Sequence, residues 1–318
     1  MDSASLPTIT LDHMEAAAQR IKGRVRRTPC LRARFIRQPI HPNLMLKLEC
    51  LQVTGSFKAR GANNAVLSLD DAAVKRGIIT ASSGNHGVAT AYAGYASQTK
   101  TVIYLPGRVG SAKTEQLARW GAEVVIEGDV WDDANAAALA RAERDGLTYI
   151  HPFADPAVIT GQSTVALEML KQSPDIDVIL VGIGGGGLIS GIALAAKAIK
   201  PEIQIIGVEP EGAPTLKTAV DAGRLTELDD ITTQALSLAP RASAAVNLDI
   251  IQRHVDGIKL VTDDAMRDAA RWLFLEMGIA AELSGAAALA ALQSGQVTVP
   301  DDACVAAVVC GAGGDGVN

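Results

Sequence analysis

The sequence predicts an α/β protein of two open, twisted, mostly parallel sheets with helices on both faces, the smaller unit inserted in the larger. Three observations predict it. Strand-like apolar runs alternate with helical ones for nearly the whole length, the pattern of a parallel sheet covered on both sides. The 318 residues exceed the size at which one core usually stops growing, which favours two units over one large α/β unit. No Pro/Gly/Ser linker and no repeat of fixed period divides the chain, so the second unit is expected as an insertion of residues 71–151 between 1–70 and 152–318.

In chain order, strands are expected near Leu44 to Cys50, Ile78 to Ser82, Thr101 to Leu105, Glu123 to Glu127, Asp177 to Ile183, Gln204 to Glu209, Ile258 to Val261 and Val305 to Cys310. Each is a short apolar run, rich in β-branched residues or Leu. Ala62, Ala65, Val66 and Leu69 recur at helical spacing behind Lys58, and Val88, Ala91, Tyr92 and Tyr95 do so behind Asn85. Two polar motifs therefore open helices.

Composition narrows the partners. With 48% hydrophobic, 20% charged and 3% aromatic residues and a net charge of -6, the chain lacks both the stacking platforms and the basic surface that nucleic acid requires. Its N-terminus is polar and acidic at Asp2 and Asp12, and no apolar run is long enough to span a bilayer, so the cytoplasm is the expected location. Cys30, Cys50, Cys304 and Cys310 lack Cys-x-x-Cys spacing, which suggests neither a zinc site nor a disulfide framework. His13, His41, His86, His151 and His254 show no helical metal spacing and read as solvated or core residues.

Three motifs carry chemistry. Asp177 to Ile183 reads as a buried strand that runs into Gly184, Gly185, Gly186 and Gly187 and then a good helix from Leu188; backbone donors at such a helix start can wrap a phosphate. A glycine-rich turn that binds nothing is the plain alternative. Lys58, in Thr54-Gly55-Ser56-Phe57-Lys58-Ala59-Arg60-Gly61, stands in the first turn of its helix, where the dipole disfavours ionisation. A neutral amine is what attacks a carbonyl, so Lys58 is a candidate Schiff-base lysine in a close-packed apolar setting, a surface lysine being the alternative. Ser82-Ser83-Gly84-Asn85-His86-Gly87 offers hydroxyls and free N–H groups suited to a carboxylate, or merely caps its own helix. An amine, an anion cup and a polar donor loop together point to pyridoxal phosphate. Cys310 follows the last strand, and ligands gather at the carboxyl ends of strands in such sheets. The competing pattern Gly182-x-Gly184-x-x-Gly187 with Glu209 ending the next strand would suit a nicotinamide-dependent dehydrogenase, but it leaves the Lys58 and Asn85 motifs without a role.

These segments, with Arg27-Thr28-Pro29, Thr160-Gly161-Gln162 and Glu282, resemble the serine/threonine dehydratase and serine racemase branch of the fold-type II pyridoxal-phosphate enzymes, the tryptophan synthase β-like group. The resemblance covers almost the entire chain. It implies a Schiff base of the cofactor on Lys58, Phe57 beside the ring, Asn85 on its 3'-oxygen, the phosphate on Gly184 to Gly187 and Leu188, and Cys310 facing the pyridine nitrogen. Glu282 belongs to the same motif set. Ser82, Ser83, Asn85 and His86 would receive the substrate, with Ser83 as the racemase branch's second acid/base. Glu209 and the Ala213 carbonyl match a divalent-cation site of this branch, such as one for magnesium, with Thr215 where an aspartate is usual. Asp133 lies where the racemase group has a substrate-contacting arginine, and Gln234-Ala235-Leu236-Ser237 replaces a usual Ala-Asp-Gly. A homodimer is implied as well.

The expected activity is an ammonia-lyase (dehydratase) that converts a small β-hydroxy amino acid such as serine or threonine to a 2-oxo acid and ammonia. Racemisation of serine is one rival reading. Dehydration of 3-hydroxyaspartate, with Arg241 pairing the distal carboxylate, is another.

Overall fold

The computed structural model describes residues 8–107 and 110–316; Asp2 lies outside them. Among the described residues ten strands form two sheets: β1 (Cys30–Arg32), β2 (Leu44–Leu48), β3 (Ile78–Ala81), β4 (Thr101–Leu105), β5 (Glu123–Ile126), β6 (Thr148–Tyr149), β7 (Val178–Gly182), β8 (Gln204–Pro210), β9 (Gly257–Val261) and β10 (Val305–Val309). The larger sheet has the order β1-β2-β10-β7-β8-β9 and the smaller β5-β4-β3-β6. All pairings are parallel except β1 with β2. All eight strands expected from the sequence form. β1 and β6 were not foreseen, since three and two residues are too short to show a period.

Side-chain alternation decides which face each strand residue serves. In β10, Val305, Ala307 and Val309 enter a core capped by the helices Asp263–Met277 and Leu283–Gln293. Ala306, Val308 and the following Cys310 enter the opposite core, with the helices Pro156–Gln172 and Gly187–Ile199. That parity puts Cys310 on the same side as the glycine loop. In β2 it turns Lys47 toward the Pro156–Gln172 helix, where an apolar residue would be the ordinary occupant.

The smaller sheet packs Ile79, Ala81, Val102 and Tyr104 on the helix Trp131–Asp145, and Ile78 on the helices Lys58–Leu67 and Asn85–Ala96. The two polar motifs thus open neighbouring helices. Tyr95, expected on the buried stripe behind Asn85, is instead exposed beside Trp120 at a ring distance of 5.5 Å.

Candidate active site

The residues after Thr54 enter the site through a strained turn. Thr54 and Gly55 both have left-handed backbones, at φ 67° and 81°, which is costly for β-branched Thr. Ser56 then bridges to Gly311 and the Phe57 N–H donates to the Cys310 carbonyl at 3.2 Å, so the end of β10 fixes the start of the Lys58–Leu67 helix.

Lys58 is the first helical residue. Its amine donates to the Pro152 carbonyl at 2.7 Å and lies 5.1 Å from the centre of the Phe57 ring. Burial pushes its basicity down to about 8, partly offset by Cys310 and Glu282. Desolvation, more than the helix dipole invoked above, makes this amine available in neutral form. Cys310 is buried, its Sγ 3.5 Å from the Ser284 carbonyl, and burial pushes its thiol far up, so it stands as a neutral group.

Asn85 begins its helix as expected, and its Nδ2 donates to Glu282 Oε1 at 2.8 Å. A Cβ on Gly311 would overlap Glu282 and meet Asn85 Nδ2 at 3.3 Å. Asn85, Glu282 and the turn after Cys310 are therefore one cluster. Ser237 Oγ reaches Glu282 Oε2 at 3.4 Å.

At the loop ahead of Asn85, Ser82 Oγ accepts from the Gly84 N–H at 3.2 Å, and Ser83 is half-exposed. His86 departs from the sequence reading of a group facing substrate. Its imidazole is buried, with Nε2 3.1 Å from Thr80 Oγ1 and 3.0 Å from the Ile150 carbonyl. Burial, and then the Lys58 charge, push it down to about 3. With Nε2 engaged inside, its backbone N–H, in the first helical turn, is a group it can offer a ligand.

The glycine loop ends β7 and opens the Gly187–Ile199 helix, whose first N–H groups precede any carbonyl of their own helix. Packing, as well as any ligand, demands the glycines. A Cβ on Gly185 would overlap the Phe153 ring, and Gly186 has φ 95°. Leu188 is buried in the core below, leaving its N–H for the loop. Such a nest of donors suits a phosphate, and the half-buried amine of Lys58 suits its aldehyde partner.

Sequence reasoning missed the turn His151-Pro152-Phe153 and Asn247. The turn follows β6 at the carboxyl end of a parallel strand, the position that singled out Cys310. Asn247, fully buried in the helix Ala245–His254, donates to the carbonyls of Phe153 and Gly185 and carried no local signal.

Arg241, the Glu209–Ala213 pair with Thr215, and Asp133 are engaged elsewhere. Arg241 pairs with Glu227 at 3.3 Å and donates to the Leu228 carbonyl at 3.1 Å on an exposed loop. Glu209 is buried and accepts from the N–H groups of Leu216 and Lys217, each at 2.8 Å, so it caps the helix Thr215–Ala222. Burial pushes its carboxyl up to about 7 against those bonds. Both oxygens cap backbone N–H groups inside the protein and the side chain is fully buried, which argues against the ribose role that the dinucleotide pattern required. Ala213 is buried, its N–H donating to the Pro210 carbonyl at 3.0 Å, and the Thr215 hydroxyl, two residues on, donates to the Pro240 carbonyl at 2.6 Å. Among the described residues no group of three His, Cys, Asp or Glu side chains could hold a metal ion. Asp133 caps its own helix, accepting from the Asp129 and Val130 N–H groups at 3.0 and 3.3 Å.

The setting of Lys58 is also less apolar than its small neighbours suggest. Arg60, two residues on, lies buried in a cluster with Glu49, Glu168 and Lys47.

Known proteins resemble this chain in sequence and fold. The chain is 34% identical to an L-threonine ammonia-lyase of Thermotoga maritima over 89% of its own length and 71% of the relative's. It is 37% identical to a serine racemase of Oryza sativa subsp. indica, over 87% of its own length and 82% of the relative's. The structure of maize serine racemase superposes with a TM-score of 0.91 at 34% identity, covering 96% of this chain and 94% of the other. Residues 21–311 match the family model described as pyridoxal-phosphate dependent enzyme. From the amine, the donor loops and these likenesses together, the chain belongs to the pyridoxal-phosphate dependent enzymes.

Proposed function

We propose that the protein is an ammonia-lyase that converts serine, threonine or a similar small β-hydroxy amino acid to a 2-oxo acid and ammonia. The observation that carries the reading is the Lys58 amine, held at 2.7 Å by a carbonyl and lowered to about 8 by burial. When bound, pyridoxal phosphate supplies an aldehyde for the amino group and a ring that accepts the electrons of the Cα–H bond. Lys58 serves as attachment point and, once free and neutral, as the base that takes the Cα proton. Gly184 to Gly187 and the Leu188 N–H hold the phosphate, Asn85 holds the ring's 3'-oxygen, and Phe57 flanks the ring.

Ser82, Ser83 and the first N–H groups of the Asn85 helix receive the substrate carboxylate, which the helix dipole favours. Burial keeps the Cys310 thiol neutral; facing the ring nitrogen, it would offer no anionic partner there, which would limit electron withdrawal and favour loss of the β-hydroxyl. Threonine ammonia-lyase relatives at about a third identity support the same assignment.

A racemase is the second reading, favoured by the half-exposed Ser83 and the rice relative. The 3-hydroxyaspartate reading would need Arg241 to leave Glu227 and turn to substrate. A homodimer fits the exposed large apolar side chains of Phe35, Phe274 and Leu275. Four free cysteines suit the cytoplasm.

The test is a panel of amino acids offered to the pure enzyme with and without magnesium, read by 2-oxo acid, ammonia and the chirality of recovered substrate. A 2-oxo acid and ammonia in equal amounts from serine or threonine is the expected result. Inverted substrate without 2-oxo acid selects the racemase, and 2-oxo acid only from 3-hydroxyaspartate selects the Arg241 reading.

A further inference from the structure

The turn His151-Pro152-Phe153 touches both halves of the cofactor machinery. Its Pro152 carbonyl receives the Lys58 amine at 2.7 Å. Its Phe153 ring fills the space that a Cβ on Gly185 would need, and its backbone presses on Gly187. One buried amide ties the two together. Asn247 Nδ2 donates to the Phe153 carbonyl at 3.1 Å and to the Gly185 carbonyl at 2.9 Å, while Asn247 Oδ1 accepts from Ser190 Oγ at 3.1 Å on the helix that the glycines open. His151 shapes the turn from within. Its Nδ1 accepts from the Phe153 and Ala154 N–H groups at 3.2 and 3.0 Å, and its ring packs edge-on against Phe153 at 4.6 Å.

We propose that Asn247 and His151 are positioning residues that couple the grip on the cofactor phosphate to the placement of the Lys58 amine, with the Pro152 carbonyl as the rest site of that amine whenever it is not bonded to the cofactor. The inference rests on the reading of Lys58 as the attachment point. Four successive glycines have little conformational preference of their own, so the loop needs an external fastener, and Asn247 is placed to be one. A neutral amine that donates one hydrogen to Pro152 keeps its lone pair free. Its distance from the aldehyde is then set by the same turn that Asn247 pins to the cup, and a displacement of about 1 Å costs about 100-fold in rate.

The experiment uses apoprotein and two probes. Pyridoxine 5'-phosphate carries an alcohol in place of the aldehyde and reports non-covalent binding without attachment; the ring contacts of Asn85 and Phe57 are common to every variant, so a difference between variants reads the phosphate grip. Pyridoxal 5'-phosphate reports attachment, in which the amine nitrogen bonds to the aldehyde carbon and the oxygen leaves with two hydrogens as water, followed by visible absorbance at saturating probe. Asn247→Asp keeps the shape but faces two carbonyls with oxygen. It is expected to weaken pyridoxine phosphate about tenfold and, separately, to slow attachment about tenfold, the effect of losing a buried hydrogen bond on each side. His151→Phe keeps a ring but loses both bonds that shape the turn, and is expected to slow attachment about tenfold with a smaller loss of pyridoxine phosphate affinity, passed to the cup through Phe153. Ser243→Ala removes only the 2.9 Å bond of Ser243 Oγ to the Gly185 carbonyl, and is expected to alter affinity alone.

Attachment at the wild-type rate in both Asn247→Asp and His151→Phe overturns the coupling. So does a slowing in Asn247→Asp that saturation with cofactor abolishes. Should Asn247→Asp fail to fold, His151→Phe decides by itself. Wild-type protein that never attaches the cofactor overturns the reading of Lys58, and the coupling with it.

Discussion

Lys58 and Arg60 leave the same helix two residues apart, both cations come out of water, and they meet opposite fates. Arg60 forms paired bonds to Glu49, at 2.7 and 2.8 Å, and to Glu168, at 2.9 and 2.8 Å. Burial disfavours its charge, but the two carboxylates outweigh that and push its basicity up. Lys47 shares Glu168 at 2.9 Å and the Thr28 carbonyl at 2.9 Å; there burial prevails over Glu49 and Glu168 and pushes the amine down. At Lys58 the nearest partner is a carbonyl, Glu282 is already engaged by Asn85, and burial wins. One helix end thus holds a structural charge and a reactive amine, and the paired hydrogen bonds that Arg60 makes to two carboxylates, which neither Lys47 nor Lys58 matches, separate them.

Replacing each cation tests that contrast, beginning with the largest effect. Lys58→Ala should abolish borohydride-stable attachment of pyridoxal phosphate and all 2-oxo acid formation. Its stability in urea should change by about 1 kcal/mol or less, since the amine gives up a single hydrogen bond to a carbonyl. Retained turnover, or wholesale unfolding, would contradict the separation. Arg60→Met should do the reverse. It strands Glu49 and Glu168 without their main partner and should cost about 3–5 kcal/mol of stability by urea unfolding. A loss under about 1 kcal/mol would mean that the cluster contributes little.

A smaller effect sharpens the comparison through pH. Since only neutral amine attacks the aldehyde, attachment to apoprotein should speed up as pH rises toward about 8 and level off above it. An inflection near the ordinary lysine value of 10.5 would show that Lys58 is not desolvated before the cofactor arrives.

What the sequence discloses follows the same division. Strands and helix starts are local, so β7, the glycine loop and the Lys58 and Asn85 helices could be read directly from apolar runs and their polar ends. Cys310 could be placed because strand parity and sheet topology are regular. The Arg60 cluster could not, because Lys47, Glu49 and Glu168 come from distant segments and Arg60 sits among small residues that look apolar. The Pro152 carbonyl and Asn247 were equally hidden. A backbone acceptor has no residue signature, and both act across 94 positions, on Lys58 and on Phe153 respectively. The inward turn of His86 depends on Thr80 and the Ile150 carbonyl, a tertiary arrangement that a helix-start motif does not encode.

The most direct measurement is reduction of the cofactor-loaded protein with borohydride, followed by digestion and mass mapping of the modified peptide. One phosphopyridoxyl mark is expected, on Lys58. A mark on any other lysine, or unmodified Lys58 in a yellow protein, would contradict it.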